Sequence, residues 1–100
     1  MATKRDPGTD QLSLWEFSRG DAAYKRLRAA FRAECQERDA KCEGWPGACG
    51  RKINYAAPPQ SRWAWELCHA KSVKQFPWLA MSPENMRAGH SGCNSRAQRL

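Results

Sequence analysis

Between residues 21 and 38, apolar side chains recur at three- and four-residue steps: Tyr24, Leu27, Phe31 and Cys35. That period predicts a helix over 21–38 with one buried stripe, and Asp21 suits its N-cap. Lys25, Arg26, Arg28 and Arg32 lie off the stripe, on a face that is either solvated or in contact with phosphates. Cys35 falls on the stripe and reads as a small core residue rather than a ligand. The periodicity then stops. "CEGWPGACG", 42–50, holds three glycines and a proline and predicts a tight loop. "KINYAAPP", 52–59, predicts a short strand ended by its two prolines. "RWAWELCHA", 62–70, is apolar and rich in aromatic residues and predicts a second strand. Pro83 can open a final short helix or helical turn, and the polar segment after His90 predicts the last helix. Residues 1–20 read as a loose tail punctuated by Pro7, Gly8 and Gly20, where "LSLWEFSR" could form a helical turn. No repeat or low-complexity tract interrupts the pattern, which is that of an α+β chain.

Composition adds a size limit and a sign. One hundred residues suffice for one domain with a modest core, and a metal staple would strengthen it. The net charge of +7 points to a polyanionic partner, with nucleic acid first among them, or else to a basic surface that is merely soluble. The charge is uneven: 9 basic and 7 acidic residues up to Cys42, against 8 and 3 from Glu43 onwards. The basic excess thus shares its half with both histidines. No secretory h-region and no apolar run of membrane-spanning length is present, so a cytoplasmic, reducing location is expected. There, five cysteines point to metal or catalysis before disulfides.

Four of these residues form a plausible zinc set. Cys42 and Cys49 bracket the glycine-rich loop, and His90 and Cys93 stand in a His-x-x-Cys turn some forty residues later. Three thiolates and an imidazole are a donor set that tetrahedral zinc prefers in closed structural sites. The alternative is a pair of buried cysteines and an unrelated histidine. The Cys42–Cys49 half is wide, with six residues between the ligands where two to four are usual. His69, the other histidine, is either structural or a base able to take a proton from water near neutral pH.

"YKRLRAAF", "CGRKINYAAPP", "WELCHAKSV" and above all "PENMRAGHSGCNSRA" resemble, in this order, successive blocks of the small HNH endonucleases, especially the short bacteriophage versions. The resemblance covers residues 22–98. The last block is the most specific, because Asn85, His90, Cys93, Asn94 and Arg96 keep the relative spacing of the family's Asn-Leu-Arg-Pro-x-His-x-x-Cys-Asn-x-x-Arg ending. The resemblance implies an α+β, zinc-stapled ββα-metal domain over 21–100, comprising a leading helix, a zinc loop at 42–50 and a ββα core over 51–100. It implies hydrolysis of double-stranded DNA with 5′-phosphate and 3′-hydroxyl products, and an association with the terminase that packages phage genomes. His69 would be the general base. Asn85 would hold the catalytic loop and orient that histidine. Cys68 and Asn94 stand where the family binds a catalytic divalent ion, Mg²⁺, Mn²⁺, Ni²⁺ or Zn²⁺. Cys42, Cys49, His90 and Cys93 would hold the structural zinc. Lys71, Lys74, Arg87, Arg96 and Arg99 are candidate contacts to the DNA backbone, or plain surface charges.

Two departures accompany this resemblance. The zinc loop is wider than the family's Cys-x-x-Cys by four residues. Cys68 replaces an Asp, and a soft thiolate suits Zn²⁺ better than hard Mg²⁺. The enzyme would then use a softer ion, or recruit Glu66 from the same strand face, or be a catalytically weakened zinc protein that binds DNA or assists packaging. The Trp63/Trp65 pair is expected to pack rather than to stack on bases.

Overall fold

The computed structural model describes residues 22–98. The apolar stripe forms helix α1 (Ala22–Glu37), which buries Tyr24 and Cys35. The predicted N-cap, Asp21, lies outside the described residues, as does the tail 1–20. The helix stops at Asp39, whose backbone takes φ 51°, a left-handed conformation that Asp tolerates. The Ala40 N–H then closes the last turn on the Cys35 carbonyl at 2.9 Å.

A loop-rich stretch leads to strand β1 (Trp65–His69). Two single 3₁₀ turns follow, Pro77–Leu79 and Pro83–Asn85, the second begun by Pro83 as expected. Strand β2 (Met86–His90) runs straight into helix α2 (Ser91–Gln98). The strands pair antiparallel, with Trp65 opposite His90, Leu67 opposite Ala88 and His69 opposite Met86. The result is a small α+β fold: two helices around a two-stranded sheet among the described residues. No described helix is long and apolar enough to cross a membrane.

The strand expected at 52–59 does not form. Asn54 there accepts the Ala56 N–H on its side-chain Oδ1 and the Ala57 N–H on its carbonyl. This Asx-type turn competes with a ladder. The second expected strand is real but shorter, 65–69 rather than 62–70, because Ser61 accepts the backbone N–H groups of Trp63 and Ala64 in a turn. Its partner, β2, lies where the sequence predicts no strand.

Two elements bind the helix to the sheet. Phe31 meets Trp65 with ring centroids 6.1 Å apart, and Trp65 is 4% exposed. Burying a side chain of this size contributes about 2–3 kcal/mol. The Arg28 guanidinium lies 5.0 Å over the same indole and donates to Glu66 at 3.1 Å. Further along, Arg32 donates to the Tyr55 carbonyl at 2.6 Å, and the Tyr55 hydroxyl donates to the Ala40 carbonyl at 2.7 Å. These bonds fasten the loop before β1 to the end of α1. They also bring Cys42 and Cys49 to the junction of β2 and α2.

Candidate functional site

The two halves of the cysteine–histidine set are built differently. In the first, the Cys42 N–H donates to the Arg51 carbonyl at 3.0 Å, and the Gly50 N–H returns to the Cys42 carbonyl at 2.7 Å. This tight return uses φ 79° at Gly50, a value that glycine adopts without steric cost. The Cys49 N–H also points at the Cys42 sulfur, 3.4 Å away. In the second half, His90 ends β2 and Cys93 lies in the opening turn of α2. The chain passes from strand to helix between them, and the turn brings the Cys93 sulfur to 3.9 Å from His90 Nδ1.

The four ligand atoms all lie within 4.8 Å of one another. Cys49 Sγ is 3.4 Å and Cys93 Sγ 3.9 Å from His90 Nδ1. Tetrahedral zinc with its usual bond lengths sets sulfur and nitrogen about 3.5 Å apart and two sulfurs about 3.8 Å apart. The His90 tautomer fits as well. Its Nε2 faces the Lys52 carbonyl at 3.1 Å, an acceptor, so Nε2 carries the proton and Nδ1 turns its lone pair toward the sulfurs. A backbone carbonyl behind a ligating histidine is the usual outer support of a metal site. Cys42, His90 and Cys93 are buried and Cys49 is exposed. Burial and the neighbouring Cys49 and Cys42 push the Cys93 thiol up to about 11. At Cys49, burial pushes upward, but hydrogen bonds from the Arg51 backbone and from Cys42 and Cys93, with the Arg51 charge, bring the thiol below its ordinary value. This set can hold a metal ion such as zinc.

The wide loop has a content that spacing alone did not reveal. Trp45, among the extra residues, donates its indole N–H to the Ala88 carbonyl at 3.1 Å. Its ring lies against β2 so closely that a Cβ on Gly89 would stand 2.7 Å from the ring. A Cβ on Gly47 would be pinched between the Trp45 ring at 2.6 Å and the Ala97 Cβ on α2 at 2.7 Å. The loop thus lays a tryptophan between β2 and α2. Its only trace in the sequence is an aromatic between two glycines, "GWPG".

Cys68 faces the same place. Its sulfur would be 2.5 Å from the Gly89 Cβ position, the side chain is fully buried, and its thiol donates to the Glu66 carbonyl at 3.7 Å. Burial first, then the charges of Glu66, Cys42 and Cys93, raise its pKa far above the ordinary thiol range. Cys68, expected at a metal-ligating position, thus lies sealed in the core beside Gly89, with burial favouring its neutral thiol form. Glu66 is engaged by Arg28. Asn94 is half-buried in α2 beside Cys93. Among the described residues, no second group of three or more His, Cys, Asp or Glu ligand atoms gathers.

His69 closes β1 on the face opposite Cys68, since neighbours on a strand alternate. Its Nε2 donates to the Ala80 carbonyl at 2.9 Å. Burial lowers the pKa of the imidazole below its ordinary value, and the bond to Ala80 opposes this only in part. The loop presenting Ala80 is tied down by Asn85. That side chain accepts from the Lys71 N–H at 2.7 Å and donates to the Lys71 and Leu79 carbonyls at 3.1 and 3.3 Å. Asn85 is buried, and its own carbonyl accepts the Ala70 N–H.

The basic candidates separate. Lys71, Lys74 and Arg96 are exposed. Arg87 is half-buried and donates from one guanidinium nitrogen, Nη1, to the Glu84 and Met86 carbonyls. Arg99 lies outside the described residues. Trp65 packs as expected, whereas Trp63 is 50% exposed and covers His90 edge-on at 5.6 Å. Compared with known protein families, curated proteins and solved structures, the chain matches none.

Proposed function

We propose that this protein is an HNH-type endonuclease that hydrolyses DNA phosphodiester bonds, with His69 as the general base and a structural zinc on Cys42, Cys49, His90 and Cys93. The observation that carries the reading is the support of His69. A histidine at the end of a strand donates to the Ala80 carbonyl, and an asparagine fifteen or so positions later fixes the loop that supplies it. A base works only if its proton-accepting form is populated at working pH and its ring is held in place. The lowered pKa of His69 meets the first condition. The Ala80 contact meets the second. In the reaction, the imidazole removes a proton from water, the water oxygen bonds to phosphorus, and the bond from phosphorus to the 3′ oxygen breaks. Lys71 and Lys74, exposed on the same loop, supply charge for the backbone, which gives salt-sensitive affinity without base choice. The packaging role beside a terminase belongs to the same proposal.

The donors for a catalytic ion do not fit as they stand. Cys68 offers a buried sulfur and Asn94 one neutral amide oxygen, whereas hard divalent ions take oxygen ligands, carboxylates foremost. This favours a second reading, a zinc-stapled DNA-binding or packaging accessory without catalysis. Plasmid nicking by the zinc-loaded protein, assayed with Mg²⁺, Mn²⁺, Ni²⁺, Co²⁺ and Zn²⁺ in turn, separates the two. The nuclease reading expects nicking that disappears in His69→Ala. No nicking with any ion, from folded protein, leaves the accessory.

A further inference from the structure

The connection between β1 and β2 exposes an indole that packing would ordinarily hide. Trp78 is 60% exposed, yet it sits in a well-bonded turn. The Leu79 N–H donates to the Phe76 carbonyl at 2.9 Å and the Ala80 N–H to the Pro77 carbonyl at 3.1 Å. The Phe76 ring supports the indole edge-on, with centroids 5.6 Å apart and planes at 82°. An edge contact of this kind braces the indole without stacking on its face.

The surroundings of the turn are cationic. Lys71 Nζ lies 5.6 Å from the Phe76 centroid, Lys74 is exposed nearby in the chain, and among the described residues neither ammonium forms an ion pair. Glu84, the nearest acidic residue in sequence, is occupied by the Ser82 hydroxyl at 2.6 Å. An exposed indole whose bracing ring carries one ammonium, with a second exposed lysine four residues before it in the chain, matches one ligand chemistry well: a nucleobase, with its own flat π-face, flanked by phosphates. In a duplex those faces are covered by neighbouring bases. Away from the duplex ends, only an unpaired base offers one.

We infer that Trp78, braced by Phe76 in a loop that also exposes Lys71 and Lys74, is a stacking site for an unpaired nucleobase of DNA. Its position gives the site a use. Trp78 stands two residues before Ala80, whose carbonyl holds His69, and one before Leu79, whose carbonyl is held by Asn85. A base on the indole is thereby registered against the imidazole through one short, hydrogen-bonded turn. The substrate class that follows is DNA with single-stranded character beside the bond to be cut, in preference to an uninterrupted duplex. This last step rests on the nuclease reading; the stacking site itself does not.

The test is binding without cleavage. The His69→Ala protein, zinc-loaded and without added divalent ion, is titrated by fluorescence anisotropy into a labelled single-stranded oligonucleotide and into a blunt duplex of the same length. Adding Trp78→Ala should weaken single-strand binding about tenfold and duplex binding by less than about twofold, while Trp78→Phe should keep the single-strand affinity within about threefold. Circular dichroism and zinc content establish that each variant is folded. Three results would overturn the site: no single-strand binding by the parent, equal single-strand binding with and without Trp78, or equal losses on both probes. Absence of nicking by the unsubstituted protein would remove the nuclease and leave this binding result standing.

Discussion

Removing the metal from the cysteine–histidine set should unfold the protein. The magnitude follows from comparing two quantities. A domain of this length has a net stability of roughly 5–15 kcal/mol, and here the described core is a two-stranded sheet of five-residue strands with one helix on its face and a shorter one after it. Structural zinc in small domains binds with about 10–16 kcal/mol at neutral pH, and that energy is folding energy where the site exists only in the folded chain. The site here joins segments 41 residues apart, from Cys49 to His90, and Cys42, His90 and Cys93 are themselves buried. The metal term therefore equals or exceeds the whole net stability. Purified protein should carry about one zinc per chain. A strong chelator should release it, abolish the near-ultraviolet dichroism and shift tryptophan emission to the red as Trp65, 4% exposed in the fold, meets water. Cys93→Ser should behave like chelated protein. A metal-free sample that keeps its dichroism and its melting temperature would refute the reasoning and reduce the set to ordinary buried thiols.

Two further outcomes follow from the loop. Asn85→Ala leaves the Lys71 N–H and two carbonyls without the partner they now have. At about 1 kcal/mol for each lost bond, the loss is about 2–3 kcal/mol, a fall in Tm of roughly 10–20 °C for a domain of this size; an unchanged Tm would mean the loop does not depend on this residue. For His69, burial places the folded pKa below the ordinary 6.5, so the unfolded chain takes up a proton first as pH falls. The neutral imidazole's contribution to stability is full above 6.5 and declines from there toward the lower folded pKa. The denaturation midpoint should fall more steeply below pH 6.5 in the wild type than in His69→Asn, and cleavage should show an acid limb in the same range that reports the base.

Some of this was legible in the residues alone. Helix α1 was, because its stripe has a period that no other element shares. So was the grouping of Cys42, Cys49, His90 and Cys93, because ligand chemistry is a property of residue types and survives an unusual spacing. Strand β2 was hidden. Its inward residues are Met86, Ala88 and His90, two of them too small or too polar to read as a hydrophobic alternation, and they become a strand only because β1 offers a partner. The strand expected at 52–59 failed for the converse reason: no described strand pairs with its backbone, and Asn54 offered that backbone a local turn. The content of the widened loop was likewise a tertiary matter. The sequence by itself determined which side chains could ligate, accept a proton or carry charge. Only the fold decided that Trp45 and Cys68 both crowd Gly89, that Cys68 is sealed in the core, and that His69 answers to a carbonyl eleven residues away. Those outcomes depend on burial and on long-range contact, and neither is a property of a residue until the chain has closed around it.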